Sequence, residues 1–159
     1  MQEAPDFNVS LRIRHPEIDP AQITRKLGLQ PQHVWARGDA KVPGDSTAGR
    51  RRDTYWSARL PQLLERAAQT FPLDDAVTTR FDPVIYAQFA SRAIDLPAFL
   101  ALHLLQMKSA KEFLQALARE GDVALVVAME AQSGAGIRLE QALLRQIVEL
   151  GLRLEFEFD

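Results

Sequence analysis

Residues 7–14, FNVSLRIR, alternate without exception: Phe7, Val9, Leu11 and Ile13 fall on one side, and Asn8, Ser10, Arg12 and Arg14 on the other. A period of two belongs to a strand with one face in the core, so this segment predicts a half-buried strand. The closing residues LRLEFEFD alternate in the same way. DVALVVAM, at 122–129, is apolar at nearly every position, which suits a strand covered on both faces. Elsewhere the period lengthens to that of a helix. DPAQITRKLGL offers Asp19 as N-cap, Pro20 at the first helical position, Gln22 for the reciprocal arm of a capping box and Gly28 as the left-handed stop. Its apolar stripe is Ile23 and Leu27. LPQLLERAAQTF, at 60–71, is helical in spacing, as is Asp95 to Glu120, which reads as two pieces ended by Gly121. IRLEQALLRQIVELG aligns Leu139, Leu143, Ile147 and Leu150 and stops at Gly151. Residues 74–94 fit strand or helix equally.

HVWAR and RDTYWSARL read as strands flanking a loop, and a hairpin is the economical way to join them. The two ends of the chain then resemble each other. Strand, helix ending Leu27-Gly28-Leu29 and strand is matched by strand, helix ending Leu150-Gly151-Leu152 and strand. Leu-Gly-Leu is also a common way to stop a helix. Taken as a repeat, it gives two β-α-β units in one sheet: an α+β fold of ferredoxin-like arrangement, antiparallel or mixed, with extra helices inserted in the middle. The first and final strands would be antiparallel neighbours, bringing Arg12 and Arg14 to Glu155 and Glu157. The expected core is Leu11, Ile13, Ile23, Leu27, Val123, Leu125, Val127, Leu143, Ile147, Leu154 and Phe156.

At 159 residues the chain is read as a single domain, long enough for a real core. It contains no cysteine, which excludes disulfides, a thiolate nucleophile and thiolate-bound zinc. The opening MQEAPDFNVS has neither a basic nor an apolar region of a leader, and no apolar run approaches a membrane span. A cytoplasmic location is the expectation. The net charge of −2 argues against general phosphate-backbone binding. The charge is unevenly spread: residues 1–60 hold ten Lys/Arg against seven Asp/Glu, whereas 61–159 hold nine against fourteen. Five of those ten, Arg37, Lys41, Arg50, Arg51 and Arg52, lie within residues 33–57, in the hairpin loop or at the strand ends that flank it.

Leu11-x-Ile13-x-x-Pro16, Asp19-Pro20-x-x-Ile23-Thr24-x-x-Leu27-Gly28-Leu29-x-Pro31, then Trp35-x-x-Gly38-Asp39 and Trp56, resemble the bacterial family of domain of unknown function 4279. The likeness covers most of 7–59 and, more loosely, 95–159. It implies an α+β domain of bacterial origin and supplies no catalytic residues. Residues 60–94 depart from the pattern and read as a divergent insertion.

Several patterns invite over-reading. Arg37-Gly38-Asp39 spells an adhesion tripeptide, which carries no meaning in a chain expected to stay inside the cell. Gly134-Ala135-Gly136 imitates a dinucleotide fingerprint, but Leu139 replaces its third glycine and Glu130 to Ser133 separate it from the apolar strand. His15, His33 and His103 are far apart, and none has a second ligand at metal spacing. No nucleophile elbow, phosphate loop or zinc-protease motif occurs. The reading therefore assigns no catalytic residue, metal or cofactor.

What remains is HVWARGDAKVPGDSTAGRRRDTYWS. Trp35 and Trp56 would anchor the hairpin base, Gly38 would take a positive φ, and Asp39 would accept backbone hydrogen bonds in the turn. The triplet Arg50, Arg51, Arg52 exceeds what a solvated turn needs, although a charge run of this kind is often only solvated. Trp35, Arg37, Asp39, Arg50, Arg51, Arg52 and Trp56 are thus the candidate binding residues. The leading expectation is a non-catalytic module that binds another protein by occlusion, as small immunity or regulatory proteins do. A phosphate, anionic ligand or nucleic-acid site on Arg37 and Arg50 to Arg52 is the alternative, and an unrecognised enzyme using Asp39 or His33 is a third reading. Residues 40–50 should be exposed and mobile.

Overall fold

The computed structural model describes residues 7–61, 95–130 and 137–159. The helix expected at 60–71, the ambiguous stretch 74–94 and the Gly134–Gly136 turn lie outside them, apart from Leu60 and Pro61. In chain order the elements are β1 (Phe7–His15), α1 (Pro20–Leu27), β2 (His33–Trp35), β3 (Ala40–Val42), β4 (Asp45–Arg50), β5 (Thr54–Arg59), α2 (Leu96–Met107), a single 3-10 turn (Lys108–Ala110), α3 (Lys111–Glu120), β6 (Asp122–Met129), α4 (Gln141–Glu149) and β7 (Arg153–Phe158). Five strands make one mixed sheet in the order β2-β5-β1-β6-β7, and β3 pairs with β4 in a separate two-stranded sheet.

The local signals act as their chemistry requires. Asp19 accepts from the Ala21 N–H at 3.0 Å, Pro20 opens α1, and Gly28 ends it at φ 66°. The capping box is not completed: the Gln22 side chain makes no bond to the Asp19 N–H, and only its backbone N–H meets Asp19, at the carbonyl, at 3.0 Å. The 95–120 region does divide, with the 3-10 turn between its two helices. Gly121 is needed for close approach rather than for a positive φ: a Cβ there would lie 2.1 Å from the Arg14 carbonyl oxygen. Only glycine lets the chain leave α3 and enter β6 flush against β1.

The helices cover one face of the sheet. Val9, Leu11 and Ile13 of β1, Val123, Leu125 and Val127 of β6 and Trp56 of β5 meet Ile23, Phe99, Leu100, Leu114, Leu143 and Ile147 in one core cluster. Of the expected core, Leu27, Leu154 and Phe156 are only partly buried. Leu27 sits in the last turn of α1, and the other two lie on β7, which among the described residues has no neighbour on its outer side.

The strand pairing corrects the expectation drawn from the two ends. β1 pairs antiparallel with β5 and β6, while β7 pairs parallel with β6 alone. The first and final strands are therefore not neighbours. A strand that is apolar on both faces is stabilised at an interior position, and β6, buried from Val123 to Val127, takes the place beside β1. β7 alternates charge with apolar residues and stays at the rim. Nor are the two halves equivalent. β6, α4 and β7 form an adjacent parallel unit, whereas β1 and β2 run parallel with β5 between them.

One detail of the expectation survives the change of neighbours. Arg12 reaches diagonally across β6 to Glu155 at 3.5 Å and Glu157 at 3.3 Å, which stand beside Val126 and Ala128, further along β6 than Ala124, the partner of Arg12 in register. Arg14 does not join them and instead pairs with Asp53 at 3.7 Å.

Residues 40–50 are largely exposed, as expected, but they form the β3–β4 hairpin rather than an irregular loop. Pro43 and Gly44, the latter at φ 80°, supply the two central residues that a type II turn demands. Apolar periodicity could not reveal this hairpin, because backbone pairing holds it and almost nothing in it is buried.

Candidate recognition surface

The sheet register sends the two tryptophans to opposite faces. Val34 stands beside Trp56, and Trp35 beside Tyr55. Trp56 is fully buried under α1, where its indole N–H donates to the Thr24 hydroxyl at 3.0 Å. It ties the helix to the sheet and is not part of any surface.

Trp35 lies on the opposite face of the sheet, against which no helix packs among the described residues. Trp35 of β2, Tyr55 of β5 and Arg14 of β1 fall in one row across the sheet. The Trp35 and Tyr55 rings stack at 4.4 Å with 18° between their planes. The Arg14 guanidinium lies 5.3 Å from the Tyr55 ring centre, and that of Arg51 lies 4.0 Å from the Trp35 ring centre. Two partners this close to one ring occupy its two faces. The result is a ladder of Arg51, Trp35, Tyr55 and Arg14, with a cation at each end and both faces of Trp35 taken. The Trp35 Nε1 and Arg51 Nε atoms are enclosed and have no hydrogen-bond partner.

The remaining loop residues build the platform. Ala36 to Asp39 forms a turn closed by the Asp39 N–H donating to the Ala36 carbonyl at 3.1 Å, with Gly38 at φ 89°. The Asp39 carboxylate accepts from the Ala36 N–H at 2.8 Å, so Asp39 is spent on the backbone. Arg50 donates to the Gly38 carbonyl at 3.0 Å and Arg51 to the Lys41 carbonyl at 3.3 Å, which fastens the small hairpin to that turn. Arg37 pairs with Glu17 at 3.9 Å. Arg52 is exposed and has no partner among the described residues. The triplet is thus not one cluster: its three arginines do three different things.

Sequence reasoning overlooked Tyr55 and Arg14. Alternation in RDTYWSARL places Tyr55 opposite to Trp56, which was the available signal; that Arg14 would join it depends on register. His15 was missed as a structural residue as well. Its buried ring accepts at Nδ1 from the Glu17 and Ile18 N–H groups, at 3.1 and 2.9 Å. Nε2 must then carry the proton, which points at Glu120 3.1 Å away. The ring holds the turn from β1 into α1.

On the same face, burial alone would lower the pKa of Arg12, but Tyr55, Glu157 and Glu155 outweigh it and hold the pKa above its ordinary value. The patch beyond the ladder is consequently neutralised: Arg12 is matched by two carboxylates, and Arg153 is paired with Asp122 and Glu155. Among the described residues no group of three or more His, Asp or Glu side chains could hold a metal ion, and no helix is long and apolar enough to cross a membrane.

No curated protein and no solved structure matches the chain. The family described as domain of unknown function (DUF4279) matches residues 5–159, and since that is nearly the entire length, the chain belongs to this family.

Proposed function

We propose that this protein is a non-catalytic binding module whose recognition surface is the Arg51–Trp35–Tyr55–Arg14 ladder, and that its partner is a protein presenting carboxylates. The observation that carries the reading is the ladder itself. Trp, Tyr and Arg are the residue types that dominate binding energy at protein interfaces. Here they are stacked before any partner arrives, so the cost of ordering them is already met within the fold. Arg14, exposed at one end and only loosely held by Asp53 at 3.7 Å, keeps donors with which it can engage a partner carboxylate in charge-assisted hydrogen bonds, while Arg51, half-buried and bonded to the Lys41 carbonyl, supplies positive charge at the other end.

The nucleic-acid alternative fits less well. Single-stranded nucleic acid binds flat on free aromatic faces, and both faces of Trp35 are occupied. Bases would have to displace Arg51 or Tyr55. An anion clamp on Arg37, Arg50, Arg51 and Arg52 is disfavoured too, because three of the four are engaged with Glu17, Gly38 and Lys41.

The fold offers a scaffold for this role. The strands β2-β5-β1-β6, in that order, with β1 and β2 parallel and β5 and β6 parallel to each other, support a ferredoxin-like reading to which α4 and β7 are added. Among the described residues no helix packs on the face of that sheet that carries Trp35.

Fluorescence titration tests the proposal. Trp56 is buried, so the Trp56→Phe variant reports on Trp35 alone. Poly-glutamate should perturb its emission in a salt-sensitive manner, and Arg14→Glu with Arg51→Glu should abolish the change. A response to oligothymidylate and none to poly-glutamate would turn the reading towards nucleic acid.

A further inference from the structure

We propose that the opposite rim of the sheet is a homodimer interface, in which β7 pairs antiparallel with β7 of a second copy about a two-fold axis at Glu155. β7 ends the strand order and has no outer neighbour among the described residues. The Asp159 N–H donates to the Met129 carbonyl at 3.2 Å, so odd-numbered residues of this strand turn their backbone groups towards β6. By alternation Leu154, Phe156 and Phe158 direct theirs outwards, an open template for a further strand.

Next to that edge the surface is apolar. Phe158 is 61% exposed, and on α4, which packs on β7, Val148 is 73% and Leu144 41% exposed. Leu144 and Val148 are four residues apart, hence on one stripe of the helix. A two-fold axis along the sheet normal at β7 brings this stripe towards its own copy while it extends the sheet.

Charge identifies the occupant. Such an axis keeps each face of the sheet on its own side, so facing residues must share parity. On the face that carries Trp35, β7 reads Arg153, Glu155, Glu157. An antiparallel strand that suits it needs an acid opposite Arg153 and a base opposite Glu157, and β7 carries both at the exchanged positions. Centred on Glu155, the pairing sets Arg153 against Glu157 of the second copy twice. On the other face it sets Leu154 against Phe156 and Leu152 against Phe158, covering the exposed ring. The two Glu155 side chains meet at the axis, each already paired with Arg12 and Arg153 of its own chain. This surface is at the far edge from Trp35, so the proposal is independent of the recognition ladder.

Sedimentation velocity over a concentration series, with R153E, E157R, the double variant R153E/E157R and Phe158→Asp, tests it. The unmodified protein should show a reversible monomer–dimer equilibrium. Each single reversal places like charges opposite each other twice and should weaken dimerisation about tenfold. The double variant should recover most of that loss. Inside one chain it still opposes Arg12 and Asp122, so the rescue can arise only across the interface. Phe158→Asp alters an exposed position and should abolish the dimer with the circular dichroism spectrum unchanged. A monomer at every concentration, an oligomer larger than two, a double variant as weak as the singles, or a dimer indifferent to Phe158→Asp would each overturn the proposal.

Discussion

Gly121 and Asp45 show how much a single position can decide. At Gly121 the obstacle is backbone: the Arg14 carbonyl oxygen is 2.1 Å from where a Cβ would stand, so β1 and β6 must part to admit one. Gly121→Ala should therefore destabilise the protein by about 1–3 kcal/mol, the usual cost of forcing a methyl group into a filled space, as read by a denaturant melt. Asp45 bears on pH instead. The Thr47 hydroxyl, then the Thr47 N–H, donate to its carboxylate and hold its pKa below the ordinary value. A depressed folded pKa means that the contribution is complete above the unfolded pKa and lost as pH falls through the folded one. An NMR titration of the Asp45 carboxyl should find its midpoint below that of an unfolded reference peptide, and Thr47→Val should move it upwards. Equal midpoints in the two proteins would remove the role given to Thr47.

Elements here are joined by side chains that cross between them. Arg51 follows β4, Trp35 belongs to β2, and their contact at 4.0 Å locks the small hairpin against the edge of the main sheet. A double-mutant cycle on Arg51→Ala and Trp35→Ala should return a coupling of about 0.5–1 kcal/mol, as expected of a partly exposed cation–aromatic contact. Coupling indistinguishable from zero would mean that the ladder is not preformed, and the proposed function would lose its support. At this scale the sequence was a good guide to single elements. The caps of α1, the break in the 95–120 helix and the strand character of β1, β6 and β7 all followed from period and punctuation. β3 and β4 were not legible because their stability is backbone pairing and turn geometry, which leave no apolar pattern.

For the whole molecule, the core is one cluster between sheet and helices, and the cost of truncating a residue follows its depth in that cluster. Ile147, 3% exposed, should lose about 2–5 kcal/mol on replacement by alanine, whereas Leu27 should lose distinctly less because it is only partly covered. Urea melts that put the two losses in the reverse order would show that α4 and α1 present other faces to the sheet. The same architecture separates two surfaces: a cation–aromatic ladder on the face near β2, and, among the described residues, a strand edge at β7 without an outer neighbour.

By itself the sequence determined what short-range physics controls: which segments are strands or helices, which of their faces are apolar, where they stop, and that Gly38 and Asp39 shape a turn. It also displayed the residues that carry the family resemblance. Tertiary structure decided everything that depends on register between distant segments. It placed β6 rather than β7 beside β1, because the strand apolar on both faces gains most from an interior position. It sent Trp56 into the core and Trp35 to the opposite face, though both are tryptophans in the same stretch of sequence. It dispersed three consecutive arginines, because strand alternation and backbone acceptors direct each to a different place, and it assembled the ladder from residues as far apart in the chain as Arg14 and Tyr55. No local pattern encodes such a meeting, since it is the pairing of strands that brings these side chains within reach.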